Sequence, residues 1–72
     1  MMTFGQALDS LKKGRRVARE GWNRRGMWLE LQTPDEHSKM TQPYIFITPA
    51  DGCRVPWVAS QPDMLAEDWF EK

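Results

Sequence analysis

The segment Gly21-Trp22-Asn23-Arg24-Arg25-Gly26 concentrates groups that can recognise a nucleotide. An indole offers a face on which a purine can stack, a contact worth roughly 1–3 kcal/mol per base in nucleic-acid sites. The Asn23 amide can read a base edge or a ribose hydroxyl, and the Arg24 and Arg25 guanidiniums can pair with phosphate. Each group also has a plainer use. Trp22 can plug the end of a core, and Asn23 can hydrogen-bond within its own turn. The small, polar content of the loop around Trp22 favours the binding role.

A second set lies further along the chain. Trp57 follows Pro56, and both core packing and ligand stacking are open to it. Ser60 precedes Gln61-Pro62-Asp63, a helix start with Ser60 as N-cap and Asp63 in place of the capping-box glutamate. Capping is the simplest role for both residues. Free N–H groups at a helix start also favour phosphate, although the Asp63 charge opposes an anion there. Asp63 can alternatively accept from a ribose hydroxyl or an adenine amine.

Catalytic chemistry is poorly provided for. His37 is the one histidine and sits in a polar stretch, while Cys53 has no histidine near it in sequence. A His/Cys zinc cluster within one chain is excluded on these counts. Glu30, Glu67 and Asp68 carry no mark of an acid–base pair, and there is no Gly-rich phosphate loop. The expectation is no catalytic residue, no metal ligand and no cofactor.

The supporting elements follow from periodicity. Thr3 to Lys13 is a helix: Thr3 and Gln6 form a capping box, Phe4, Ala7, Leu8 and Leu11 share a face, and Gly14 ends it. Arg16 to Arg19 is a short strand with Val17 and Arg19 on one side and Ala18 on the other. Met27 to Gln32 alternates, with Met27, Leu29 and Leu31 opposed to Trp28, Glu30 and Gln32. Thr33 to Pro43 is an exposed loop. Tyr44 to Thr48 places Ile45 and Ile47 opposite Tyr44 and Phe46. Asp51-Gly52 signals a hairpin turn, and Cys53 to Val58 returns as a strand that is at an edge or bulged, because Pro56 cannot donate to a ladder. A short helix opens at Ser60, and Trp69-Phe70 is a last strand. The fold class is α+β: an N-terminal helix packed on a small antiparallel sheet, with a short second helix near the C-terminus. Residues 1–72 form a single ligand-binding domain.

A chain of 72 residues builds a thin core. With no disulfide or metal available, self-association is the expected source of extra stability. Four tryptophans are hard to bury in so small a domain, so some should line a pocket or an interface. Trp28 and Trp69 are assigned to core or subunit contact. Ten basic residues balance ten acidic ones, which argues against a nucleic acid polymer as partner. The charge is unevenly spread, however: Lys12, Lys13, Arg15, Arg16, Arg19, Arg24 and Arg25 come early, and Asp63, Glu67, Asp68 and Glu71 late. Either the two ends neighbour and neutralise each other, or the basic segment rims an anionic ligand. No secretory signal and no apolar stretch of membrane-spanning length is visible. The expectation is a cytoplasmic protein with no membrane partner.

Several pieces, in order, carry a family resemblance. They are Lys13-Gly14, Val17-Ala18-Arg19, Gly21-Trp22-Asn23, Asp51-Gly52, Val55-Pro56-Trp57 and Ala59-Ser60-Gln61, then Asp63-Met64-Leu65-Ala66 and Asp68-Trp69. Together they resemble the Thoeris anti-defence sponge proteins of phages, of the second type. The resemblance implies a homotetramer built as a dimer of dimers. It implies binding of cyclic nucleotide immune signals, glycocyclic ADP-ribose and also cyclic oligonucleotides of the CBASS system, without degradation, in the infected bacterial host. The loop Thr33 to Pro43 and the positions Arg24, Arg25, Cys53 and Arg54 stand outside the shared pattern. Competing readings are a nucleotide-cleaving enzyme and a protein-interaction module. The candidate ligand-binding residues are Trp22, Asn23, Arg24, Arg25, Trp57, Ser60 and Asp63. The expected pocket is shared, with Trp22 and Asn23 from one subunit and the Ser60–Asp63 segment from a neighbour.

Overall fold

A computed structural model describes residues 1–22 and 26–72; Asn23, Arg24 and Arg25 lie outside the described residues. Helix α1 spans Phe4–Lys12. The Thr3 hydroxyl accepts the Gln6 N–H at 3.2 Å and Gln6 Oε1 accepts the Thr3 N–H at 2.9 Å, the reciprocal box that the spacing predicts. The helix stops at Gly14, whose φ of +83° lies in the left-handed region that glycine adopts without strain.

Five strands follow: β1 (Val17–Arg19), β2 (Trp28–Gln32), β3 (Tyr44–Thr48), β4 (Val55–Pro56) and β5 (Trp69–Glu71), with helix α2 (Gln61–Leu65) before the last. They form one antiparallel sheet in the order β4-β3-β2-β1-β5. The last strand therefore lies against the first. Val17, Ala18 and Arg19 pair with Glu71, Phe70 and Trp69, and Met2 bridges to Trp69 on the outer side of β5.

The alternation of β2 and β3 is as expected. Leu29 stands opposite Ile47 and Leu31 opposite Ile45, all on the side facing α1. There the core cluster of Ala7, Leu11, Val17, Leu29 and Trp69 is almost fully buried. It is a small core, as the chain length predicts.

The return strand is shorter than Cys53 to Val58. The strand is Val55–Pro56, with the Trp57 N–H beyond it still donating to the Ile45 carbonyl of β3 at 3.0 Å; Pro56 has no N–H to give, and Asp51 Oδ1 draws the Cys53 N–H into the preceding loop at 2.9 Å. The Asp51-Gly52 turn is real, with Gly52 at φ +83° and its N–H on the Pro49 carbonyl, but it sits in a broader loop than a two-residue hairpin. No helix of the described residues is long and apolar enough to cross a membrane.

Candidate functional site

Trp69 is the hub of an aromatic cluster on the helix side of the sheet. Its side chain is fully buried, and its indole N–H donates to the Asp63 backbone carbonyl at 3.0 Å. Phe4 lies 5.5 Å away between ring centroids, and Trp22 and Trp57 meet it edge-on at 5.5 Å and 6.1 Å. Such edge-to-face pairs add about 0.5–1.5 kcal/mol beyond their buried area. Trp22 and Trp57 are only half-buried, so each keeps some surface for a ligand.

A charge network pins Trp22. Arg19 shares a strand face with Val17, and a guanidinium on a core-facing side has to be paired. Its Nη1 donates to Asp63 Oδ1 at 2.8 Å and its Nε to Asp68 Oδ1 at 2.8 Å. Asp63 Oδ1 also accepts the Trp22 indole N–H at 3.2 Å, and Asp63 Oδ2 accepts the Ser60 hydroxyl at 2.8 Å. The Ser60 oxygen in turn caps α2 by accepting the Asp63 N–H at 3.2 Å. Asp68 Oδ2 accepts the Gly21 N–H at 2.8 Å, which fastens the start of the Trp22 loop. The Arg19 and Asp63 side chains are 17% and 14% exposed, so solvent screens the pair weakly.

The titration of both carboxyls follows from these contacts. Burial opposes the charge on Asp63, yet hydrogen bonds from Arg19, Trp22 and Ser60 outweigh it and hold the carboxyl below its usual range. The Arg19 hydrogen bond does the same for Asp68, against a smaller burial effect. Arg19 is correspondingly raised by its bonds to Asp68 and Asp63. Both aspartates are thus firmly ionised and ill matched to proton transfer near neutral pH.

Arg19 and Asp68 are the residues that sequence reasoning overlooked as parts of the site. The available signal was the position of Arg19 on the Val17 side of β1. The early basic and late acidic segments do neighbour each other, since Arg15 also pairs with Glu71 at 3.0 Å. The sheet order explains this, because β5 runs beside β1.

Among the described residues no helix lies over the opposite face of the sheet. It holds a shallow hollow of about 140 Å³ lined by Gln32, Tyr44, Phe46, Arg54, Val55 and Pro56. That is below the roughly 300–1,000 Å³ of small-molecule sites. Among the described residues no group of three His, Cys, Asp or Glu side chains could hold a metal ion.

A family model described as the Thoeris anti-defense 2-like domain matches residues 2–71. The chain belongs to that family. Thoeris anti-defense 2 of Bacillus phage SP01 is 41% identical to it over 81 residues, which cover 94% of this chain and 91% of that protein. The match takes in every strand and helix of the fold, so this is an anti-defence family member along its whole described length.

Within this Thoeris anti-defense 2-like domain, four of the seven candidate residues come together. Trp22, Trp57, Ser60 and Asp63 all lie around Trp69 or the Arg19 network. Asn23, Arg24 and Arg25 are the three that lie outside the described residues. Trp22 and the Ser60–Asp63 segment meet within a single chain, where the Trp22 indole N–H donates to Asp63 Oδ1 at 3.2 Å.

Proposed function

We propose that this phage anti-defence protein binds and sequesters cyclic nucleotide immune signals, glycocyclic ADP-ribose first and cyclic oligonucleotides as a second class, without cleaving them. It acts in the cytoplasm of the infected bacterium as a homo-oligomer, a tetramer. Family membership supports the anti-defence role. The observation that carries the binding role is the fixed indole of Trp22. Its ring stands nearly perpendicular to that of Trp69 and its N–H donates to Asp63, so part of the ordering cost of a stacking contact is met before the ligand arrives.

A sponge must hold its signal tightly, and nanomolar affinity corresponds to about −12 kcal/mol. Two stacked bases at roughly 1–3 kcal/mol each fall short of that. Charge-assisted hydrogen bonds to phosphate from Arg24 and Arg25, and enclosure by a further subunit, supply the rest in this reading. Uncleaved binding is supported by the carboxylates of the cluster, which are ion-paired and held ionised.

Calorimetry with glycocyclic ADP-ribose, followed by heating the complex and mass spectrometry of the released ligand, tests the proposal. The wild type is expected to bind and to return the ligand intact. Trp22→Ala is expected to bind about 5- to 150-fold more weakly, the equivalent of the 1–3 kcal/mol of one stacking contact, with its far-ultraviolet circular dichroism unchanged. A cleaved product or an absence of binding overturns the reading. Unchanged affinity in the folded variant makes Trp22 a packing residue only.

A further inference from the structure

Trp22 is held at three points, and two of them lead to the same pair of side chains. Its ring stands at 80° to that of Trp69, with 5.5 Å between centroids. Its indole N–H donates to Asp63 Oδ1. The backbone that carries the indole is a turn from Arg19 to Trp22, closed by the Trp22 N–H on the Arg19 carbonyl at 3.3 Å. Asp68 grips that turn from the far end of the chain. Its carbonyl accepts the Glu20 N–H at 3.1 Å, and its Oδ2 accepts the Gly21 N–H at 2.8 Å. The Arg19 guanidinium joins the two anchors, with Nε on Asp68 Oδ1 and Nη1 on Asp63 Oδ1. One planar fork thus sets the spacing between the carboxylate that holds the turn and the carboxylate that holds the indole.

Neither Arg19 nor Asp68 is fitted to touch a ligand. Two aspartates at 2.8 Å outweigh the single charge of Arg19, and its side chain is largely covered, which takes it out of the basic segment that could rim an anion. Both Asp68 oxygens already accept an N–H. Gly21 leaves that carboxylate little play, since a methyl carbon there would lie 2.9 Å from Asp68 Oδ2. What the pair controls is the direction in which the Trp22 ring presents its open surface. With its N–H spent on Asp63, the indole can meet a ligand by stacking and not by a hydrogen bond, and stacking depends on ring orientation.

We infer that Arg19 and Asp68 are positioning residues for ligand binding: they touch no ligand and act through Trp22, by locking the turn that carries the indole to the carboxylate that receives its N–H. The inference rests on the proposed binding role of Trp22 and adds two residues outside the candidate set.

The test is Asp68→Asn on the full chain. The amide has the shape of the carboxylate but exchanges one acceptor for a donor. Both partners of that group are donors, so in either orientation the Arg19 Nε–H or the Gly21 N–H faces another N–H. Two measurements read the result. The first needs no ligand. The chain has four indole N–H protons, and the one missing from the proton NMR spectrum of Trp22→Phe belongs to Trp22. In Asp68→Asn its exchange with solvent is expected to quicken on the order of tenfold relative to that of Trp69, whose N–H donates to the Asp63 backbone carbonyl. A loss of overall stability alone speeds both equally.

The second is a double-mutant cycle in the affinity for glycocyclic ADP-ribose, measured by calorimetry. Asp68→Asn alone is expected to weaken binding about tenfold, a part of the roughly 5- to 150-fold expected from removing the indole. In a Trp22→Ala background the same substitution is expected to change affinity by less than about twofold, because what it positions is gone. Ile47→Val loosens the core on β3, two strands from β1, and as a control for lost stability is expected to bind as the wild type does. Should Asp68→Asn fail to fold, Gly21→Ala, which keeps every side chain of the network but displaces the carboxylate, is expected to give the same pattern at lower amplitude.

An unchanged exchange ratio, undiminished affinity in Asp68→Asn, or a loss of affinity that persists in full without the indole each overturn the inference, the last because it makes Asp68 a ligand contact. A wild type that binds no nucleotide overturns the proposed function, and the exchange ratio then still decides whether Asp68 holds the indole.

Discussion

Replacing Arg19 with methionine should unfasten the candidate site from within. Methionine keeps much of the aliphatic stem and removes the two bonds of 2.8 Å to Asp63 and Asp68. Exposed ion pairs contribute about 0.2–1 kcal/mol, whereas stripping one partner from a buried pair costs about 3–5 kcal/mol. Arg19 is 17% exposed, its carboxylates 14% and 27%, so the loss lies between those limits. We expect about 2–3 kcal/mol, or roughly 10–20 °C in melting temperature for a domain of this size. Against a total stability of roughly 4–11 kcal/mol, scaled per residue, that is a large share. Urea unfolding followed by tryptophan fluorescence measures it. The acid limb adds a second check. Asp63 and Asp68 have folded-state pKa values below their unfolded ones. Their contribution is therefore complete above the ordinary aspartate value of about 3.9 and is lost as pH falls through the lower folded value. The gap between wild type and variant should shrink below about pH 4. A gap under about 0.5 kcal/mol at pH 7, or one that stays constant down to pH 2, refutes the account of the network.

Two smaller perturbations probe other parts of the fold. Gly21→Ala places a methyl carbon 2.9 Å from Asp68 Oδ2 and 3.2 Å from Arg19 Nη2, so it should cost about 1–2 kcal/mol by prising that ion pair apart; an unchanged denaturation midpoint counts against the fastening role of Gly21. Thr48 is 5% exposed and its hydroxyl has no hydrogen-bond partner among the described residues, so Thr48→Val should be neutral or stabilise by up to about 1 kcal/mol; a loss of more than about 1 kcal/mol on thermal unfolding contradicts this.

Local patterns made most of the fold legible. The Thr3–Gln6 box, the stop at Gly14 and the alternation of Leu29 and Leu31 against Ile45 and Ile47 are short-range signals, and the structure realises each. The strand at Val55–Pro56 came out short because the Asp51 side-chain carboxylate accepts the Cys53 N–H in competition with the ladder, an outcome composition does not resolve. The site was half legible. Trp22, Trp57, Ser60 and Asp63 stood out by type and setting. What joins them did not, because Arg19 reaches Asp63 and Asp68 across 44 and 49 residues of chain. Only the placement of β5 beside β1 creates that meeting, and it also explains why Trp22 and Asp63 need no second chain to touch.

The same placement sets a timetable for synthesis. Trp69, the largest buried side chain among the described residues, is made after β1 to β4, yet it packs against Phe4 of α1 and its strand ties Met2 to β1. The core between α1 and the sheet therefore cannot close fully until Trp69 has left the ribosome. Before that point the nascent chain leaves Ala7, Leu11 and Val17 less covered than the folded protein does. A stop codon ahead of Trp69 removes the keystone and leaves a product fit for proteolysis.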